Sequence, residues 1–116
     1  DHKLIAISKS FMDKDSIYLE EIKEFCHKIM AFMVGVDYES FVKDEKLQLA
    51  VIKLVENIGE ATKRLSDTTK VRYPRVEWKK AMAMRDRLAH DYMGVDLEIV
   101  FDVAVNEVPS LLENLQ

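Results

Sequence analysis

Four side chains within one short segment, Arg85, Asp86, His90 and Tyr92, have the chemical types needed to cleave a phosphodiester. A histidine titrates near neutral pH and can move protons to or from a ribose 2′-hydroxyl or a leaving 5′-oxygen. A guanidinium stabilises the charge that develops on the phosphate without a metal ion. The aspartate can orient the imidazole, and the tyrosine can bind phosphate or stack on a base. These residue types suit chemistry on RNA, but taken alone they are more often a structural ion-pair network than a catalytic site.

Helix geometry limits how these four residues can act together. At about 100° per residue, Arg85 and Tyr92 lie within about 20° of each other, and Asp86 and His90 within about 40°. Arg85 and His90, however, lie about 140° apart. They can converge on one phosphate if the helix bends near His90, or if a second protomer completes the cleft. We favour the second arrangement, a two-fold homodimer.

Positive charge is concentrated around this cluster, although the chain carries a net charge of −4. The segment from Lys63 to His90 contains nine Lys and Arg residues against three acidic residues, so it is +6 and the remainder is −10. A basic segment on an acidic body can contact phosphate while the protein stays soluble. We expect three of these cations, Lys79, Lys80 and Arg87, to contact RNA. The alternative is that the basic residues only form a solvent-exposed face.

Apolar residues at helical spacing predict the first half of the fold. The segment SIYLEEIKEFCHKIMAFMV is predicted to be a helix, with Ser16 as its N-cap and Gly35 as its stop. A second helical region extends from about Tyr38 to Leu65, as a short turn followed by a long helix. Residues 66–75 are mostly polar and include a proline, so they are predicted to form a loop.

The second half of the chain continues the helical pattern. A third helix is predicted from near Pro74 to about Gly94, and Asp96 is the expected N-cap of a fourth, which Pro109 bends or breaks. No segment shows the sustained period-two alternation of a strand. The sequence therefore predicts an all-α, up-and-down bundle of four main helices, with a short fifth helix if the turn after Tyr38 is helical.

Length and composition narrow the class of protein. A chain of 116 residues fits one domain, which we place at 14–116, with residues 1–13 as an N-terminal extension that is either foreign to the natural sequence or flexible. No apolar run reaches the roughly 18 residues of a membrane span, and no secretory signal is visible. The lone Cys26 cannot form an intrachain disulfide, which predicts a cytoplasmic location.

The sequence predicts neither a metal site nor a cofactor. His2, His27 and His90 are scattered, without ligand partners at the spacing of a zinc site. There is no Gly-rich phosphate loop and no Gly-x-Ser-x-Gly elbow. Cys26 and His27 are adjacent, so they point about 100° apart on a helix and make a poor catalytic pair. We expect Cys26 in the core and His27 on the surface.

The segment WKKAMAMRDRLAHDYMGVDLEIVF, which begins at Trp78, resembles the signature of the HepT-type HEPN family, the toxins of bacterial and archaeal toxin–antitoxin pairs. The family motif is an arginine, four residues, a histidine, one residue and a tyrosine, which Arg85, His90 and Tyr92 match. Asp86 fills the polar position that follows the arginine in the family.

The resemblance covers about residues 14–115. It includes ENIGEATKRLS at 56–66, which is similar to an Ile-Gly-Glu-Ala helix of the family, and SIYLEEIKEF at 16–25, which is similar to its first helix. One departure is Ala83, where relatives often have glycine, and this exchange of one small residue for another puts little in doubt.

The resemblance implies a HEPN-type bundle and a metal-independent endoribonuclease that acts as a homodimer on an RNA such as tRNA or mRNA. By analogy, His90 is the acid/base residue, Arg85 stabilises the scissile phosphate, and Asp86 supports them. Glu60 is either a further supporting residue or an ordinary helix-pairing glutamate. The family's partner is an MntA-type nucleotidyltransferase antitoxin that can transfer AMP to the motif tyrosine, here Tyr92, which would repel RNA through added bulk and negative charge.

The sequence is also compatible with two other hypotheses about function. The first is a non-catalytic HEPN module that dimerises and binds a nucleotidyltransferase or a nucleotide. The second is a structural bundle whose ion pairs only stabilise the fold.

Overall fold

A computed structural model describes the backbone of residues 2–89 and 95–116, and the side chains of 14–88 and 95–116. Within these ranges the chain forms seven α-helices and one π-helical turn, with no strand, which confirms the all-α prediction. The helices are α1 (His2–Phe32), α2 (Tyr38–Val42), α3 (Glu45–Arg64), α4 (Asp67–Val71), α5 (Trp78–Ala89), α6 (Leu97–Asp102) and α7 (Val108–Leu115), with the π-turn at Val103–Glu107. None of these helices is long and apolar enough to cross a membrane.

The core is formed by the apolar stripes of the long helices. Helix α3 packs against both α1 and α5, and α1 also packs against α7. The central side chains of the long helices recur every three to four residues and are fully buried, as expected for amphipathic helices that share one core: Ile22, Cys26 and Ile29 on α1, and Val51, Val55 and Ile58 on α3. Val100 on α6, Val103 in the π-turn and Val108 on α7 are also fully buried. Cys26 thus packs in the core as predicted, and His27 is exposed.

The start of α1 differs from the prediction. The helix begins at His2, so Ser16 is not its N-cap but a residue within the helix. No glycine or proline precedes Ser16, so nothing in the sequence stops the helix from extending toward the N-terminus. Its other end agrees with the prediction, because α1 ends at Phe32 and Gly35 follows with a φ of 71°, a conformation that favours glycine.

The predicted loop at 66–75 was wrong in its first half, where the chain forms the short helix α4. The Ser66 hydroxyl accepts a hydrogen bond from the Thr69 amide at 3.2 Å and caps this helix. The Trp78 indole donates to the Lys70 carbonyl at 2.9 Å, which fastens α4 to the start of α5. Helix α5 consequently begins at Trp78, later than the predicted start near Pro74.

The last helical segment shows how the chain accommodates Pro109. Asp96 caps α6 as predicted, accepting from the amides of Glu98 at 2.9 Å and Ile99 at 3.4 Å. A proline cannot donate to the carbonyl four residues earlier and clashes with it. The helix neither stops nor breaks at this point, and the wider π-turn at Val103–Glu107 precedes α7. This turn sets the orientation of Glu107 relative to α5.

Candidate active site

Helix α5 carries five of the predicted site residues on the sides that do not face the core: Lys79, Lys80, Arg85, Asp86 and Arg87. Ala81, Met84 and Leu88 are buried and fix the orientation of the helix. Arg85, Asp86 and Arg87 follow one another along the chain, and all three are exposed. Because successive residues are about 100° apart, these three project in different directions. His90 and Tyr92 lie outside the described residues.

Arg85 forms an ion pair with Glu60 across the contact between α3 and α5. Arg85 Nη1 lies 2.5 Å from Glu60 Oε1, and the two side chains are 45% and 42% exposed. The structure thus brings together the predicted phosphate-binding residue and the glutamate named as a supporting residue. A guanidinium has five N–H donors, so one carboxylate contact leaves it able to bind a phosphate.

Gly59 lies directly beneath this ion pair. A Cβ atom placed on Gly59 would lie 3.2 Å from Arg85 Cβ, 3.7 Å from the Arg85 amide nitrogen and 3.7 Å from the Met82 carbonyl oxygen. The first distance is tighter than ordinary van der Waals contact, so a larger residue would push the two helices apart. Glycine at position 59 therefore sets how closely the backbone that carries Arg85 approaches α3.

Arg87 and Lys80 lie on the other side of α5 and share one carboxylate partner. Arg87 Nη1 contacts both oxygens of Glu107, at 2.8 and 3.0 Å, and Lys80 Nζ lies 3.2 Å from Oε1. The Glu107 side chain is 8% exposed, whereas Lys80 and Arg87 are 50% and 36% exposed. These two predicted RNA-binding cations thus hold α5 against the π-turn, and both retain access to solvent.

The remaining cations of the basic segment are spread over several elements. Lys79 is exposed on α5, and Lys63 is exposed at the end of α3. The Arg64 guanidinium lies 6.0 Å from the centre of the Tyr18 ring, so this arginine leans on α1. The +6 segment of the sequence therefore surrounds both sides of α5 and does not form one continuous stripe.

Sequence reasoning missed two carboxylates that shape this region. Glu107 lies 20 residues from Arg87, and no helical spacing connects them. Asp15 on α1 accepts hydrogen bonds from the Ser66 hydroxyl at 2.5 Å, from the Ser66 amide at 3.3 Å and from the Thr69 hydroxyl. These hydrogen bonds lower the pKa of Asp15 below its ordinary value of 3.8. Only the three-dimensional packing reveals either carboxylate.

Other chemistry is disfavoured for the side chains in the described ranges. Burial raises the pKa of the Cys26 thiol to about 12, so this cysteine is not a nucleophile at neutral pH. Among residues 14–88 and 95–116, no group of three or more His, Cys, Asp and Glu side chains is arranged to hold a metal ion. Among the described residues of α5, the exposed side chains offer ammonium, guanidinium and carboxylate groups.

Comparison with known proteins connects this geometry to a family. The family model described as "Ribonuclease HepT-like" matches residues 18–116, which is nearly the whole helical bundle. The matched region includes Glu60, Arg85 and Asp86, as well as the positions of His90 and Tyr92.

Individual relatives agree with the family match. The chain is 37% identical over 99 residues to "Putative RNase MJ0127" of Methanocaldococcus jannaschii, covering 85% of this chain and 82% of the relative. It is 38% identical over 94 residues to "Probable ribonuclease HepT" of Thermococcus cleftensis, covering 81% of this chain and 86% of the relative. No solved structure matches the chain significantly.

Proposed function

Because this chain belongs to the HepT-like ribonuclease family, we propose that it is the toxin of a type VII toxin–antitoxin pair and cleaves RNA internally without a metal ion. The observation that carries the proposal is the exposure of Arg85. A guanidinium held by Glu60 at 2.5 Å and still 45% exposed is fixed in direction and accessible to a phosphate.

The proposed mechanism uses general acid–base catalysis with electrostatic stabilisation. His90 moves the proton between the ribose 2′-hydroxyl and the leaving 5′-oxygen. Arg85 neutralises the charge that develops on the phosphate, and Asp86 orients the histidine or its neighbouring arginine. Tyr92 binds the substrate. Since this scheme places the charge stabilisation on a guanidinium, it requires no divalent cation.

A homodimer is part of the proposal. Arg85 and His90 lie about 140° apart on an ideal helix, so one phosphate is reached more easily by residues from two protomers. The exposure of Lys79 and Asp86 leaves the outer side of α5 accessible to a second copy of the chain. The proposed cleft is therefore lined by α5 of both protomers.

The proposed antitoxin is an MntA-type nucleotidyltransferase that transfers AMP to Tyr92. The added phosphate carries negative charge to the mouth of a cleft that must bind an anionic substrate, so modification would weaken RNA binding by repulsion and bulk. We place this regulation in the cytoplasm, where the free thiol of Cys26 would persist.

The test is RNA cleavage by the purified protein in EDTA, comparing wild type with His90→Ala. We expect wild type to cleave and His90→Ala to lose the activity. Failure of wild type to cleave, or cleavage that persists in His90→Ala, would overturn the proposal. Growth arrest on expression of wild type, relieved by the same substitution, tests the toxin role in cells.

One observation favours a second candidate, the non-catalytic HEPN module that dimerises and binds a nucleotidyltransferase or a nucleotide. Arg85, Arg87 and Lys80 all have carboxylate partners, as an ion-pair network requires. For such a module, expression of wild type would leave growth unchanged, and Arg85→Ala would lower thermal stability. Growth arrest by wild type alone rules it out.

A further inference from the structure

A cavity separates α5 from the segment that runs through α6, the π-turn and α7. It has a volume of about 330 Å³, within the range of small-molecule sites. Its inner wall is apolar, because Val76, Ala81, Met84 and Leu111 are buried. Arg85 lies on the other side of α5, so the residues proposed to act on the scissile phosphate do not account for this cavity.

The rim of the cavity is rich in hydrogen-bond acceptors. The Glu107 and Asp102 carboxylates line it and can only accept. Glu107 is 8% exposed and already accepts from Arg87, so the exposed Asp102 is the more accessible acceptor. Two amides also line it, and each has a donor engaged within the protein: Asn106 Nδ2 donates to Asp102 Oδ1 at 2.7 Å, and Asn114 Nδ2 donates to the Arg75 carbonyl at 3.3 Å. The amide carbonyl oxygens add further acceptors. A ligand that fits this rim has N–H donors along one edge.

Positive charge lies at the entrance. Arg75 is exposed, and Lys80, which contacts Glu107 at 3.2 Å, is 50% exposed. Glu77 lines the same cavity, is 76% exposed and lies 3.8 Å from Lys80, so Arg75 and Lys80 share this entrance with one carboxylate. A phosphate would be attracted to this entrance, whereas the carboxylates at the rim would repel it from the interior.

We propose that this cavity is a nucleobase subsite and prefers bases that carry an exocyclic amino group. The base lies against the apolar wall, its amino group donates to the rim carboxylates and amides, and its phosphate stays at Arg75 and Lys80. Adenine, cytosine and guanine have such an amino group, and uracil does not. This inference rests on the proposed function, because the base would belong to a nucleotide of the RNA substrate beside the cleavage site.

The test is a titration of the protein with each of AMP, CMP, GMP and UMP, followed by NMR of the side-chain amides of Asn106 and Asn114 and the methyl group of Met84. We expect the three amino-bearing nucleotides to shift these signals and UMP to bind about tenfold more weakly, the effect of losing a hydrogen bond to a charged acceptor. Inorganic phosphate is titrated alongside and should not shift the Met84 methyl group.

Variants then locate the binding. Ser110→Trp places a large side chain on the cavity lining and should weaken nucleotide binding by about tenfold or more, because the indole takes up volume that the base would occupy. Glu113→Trp puts the same side chain on α7 outside the lining and is the matched control. Asn106→Leu removes a rim acceptor from an exposed position with little risk to folding and should reduce the discrimination against UMP.

Several outcomes would overturn the subsite. These are cavity signals that no nucleotide shifts, equal affinity for UMP, equal effects of inorganic phosphate, or unchanged binding in Ser110→Trp. If an arginine-containing peptide shifts the signals and nucleotides do not, the cavity accepts a basic side chain of a protein and the proposal is wrong. RNA cleavage is measured separately: cleavage without nucleotide binding removes the subsite alone, whereas nucleotide binding without cleavage supports the subsite and removes the ribonuclease proposal.

Discussion

Arg85 on α5 and Glu60 on α3 form an ion pair of 2.5 Å directly above Gly59. The pair joins two helices through residues that are 25 positions apart in the sequence, and both side chains remain nearly half exposed. Exposure limits what the pair can contribute to folding, because solvent screens its attraction and its side chains lose entropy. The main effect of this ion pair is therefore to fix the direction of the Arg85 guanidinium, and its contribution to the stability of the fold is small.

The first prediction concerns Arg85→Ala. Loss of an exposed ion pair should lower the free energy of unfolding by no more than about 1 kcal/mol. Loss of a guanidinium that stabilises phosphate charge should reduce cleavage by about 100-fold or more. Thermal melting by circular dichroism and cleavage of a labelled RNA measure the two effects. Arg85→Lys, which keeps the charge but lacks the planar fork, should fall between wild type and Arg85→Ala in activity.

A different result for Arg85→Ala would favour the non-catalytic module. If the melting temperature falls strongly while cleavage is unchanged, Arg85 serves the fold and not the reaction. The ribonuclease hypothesis predicts a large loss of cleavage and a small change in melting temperature. The non-catalytic hypothesis predicts a large drop in melting temperature and no loss of cleavage.

The second prediction concerns Gly59→Ala. Alanine favours a helix over glycine by about 1 kcal/mol, whereas its Cβ would press on Arg85 Cβ at 3.2 Å. These effects oppose each other, so stability should change by less than about 1 kcal/mol. Cleavage should fall about tenfold, because a small displacement of Arg85 from the phosphate is costly. Urea denaturation and steady-state cleavage provide the measurements.

Asn57→Ala is the control for Gly59→Ala. It also raises helix propensity on α3, at a half-buried position two residues from the contact with Arg85. It should leave cleavage unchanged. Equal losses of activity in both variants would show that the effect comes from α3 as a whole and not from contact between Gly59 and Arg85.

The helices of the core were predictable because their signal is local. Apolar residues every three to four positions, with Asp96 and Gly35 at helix boundaries, are visible in the sequence and were confirmed. The predictions of secondary structure were wrong where contacts between residues distant in the sequence determine the local structure. Helix α4 has only five residues, and its cap, Ser66, is held by Asp15 at a separation of 51 residues. No pattern of sequence spacing records such a contact.

For the same reason, part of the candidate site could be predicted from the sequence and part could not. Arg85 and Asp86 could be chosen from motif spacing, and the side chain of Glu60 could be suggested from the resemblance. The contact between Glu60 and Arg85 required the packing of α3 on α5. Glu107 was missed altogether because its partners depend on the π-turn, which widens the helix before Pro109 and alters the register of the side chains.

The third prediction concerns Glu107→Gln. The carboxylate is 8% exposed and accepts from Arg87 at 2.8 and 3.0 Å, so its charge-assisted hydrogen bonds are poorly replaced by an amide. We expect the free energy of unfolding to fall by about 1–3 kcal/mol. Urea denaturation measures it as a lower midpoint at unchanged slope. Glu77→Gln is the control, because Glu77 is 76% exposed and lies 3.8 Å from Lys80, and it should change stability by less than about 0.5 kcal/mol. Equal effects of the two variants would contradict the importance of the buried carboxylate.

The fourth prediction concerns the pH dependence that Asp15 confers. Hydrogen bonds from Ser66 and Thr69 lower the pKa of Asp15 below 3.8 in the folded protein, so the unfolded chain binds a proton at higher pH than the folded one does. The contribution of Asp15 to stability is therefore fully present above about pH 4 and is lost as the pH falls through the folded-state pKa. Asp15→Asn should be less stable than wild type at pH 7, and the difference should shrink toward pH 2.

Thr69→Val is the matched variant for this prediction, because it removes one hydroxyl donor to Asp15 from a buried position and nearly preserves the volume of the side chain. Its stability deficit should shrink below pH 4 in the same direction as that of Asp15→Asn, since the hydroxyl stabilises the ionised carboxylate more than the protonated one. Denaturant midpoints measured at intervals between pH 2 and pH 7 provide the test. A deficit of Asp15→Asn that stays constant over that range would show that Asp15 acts through the shape of its contacts, independently of its charge.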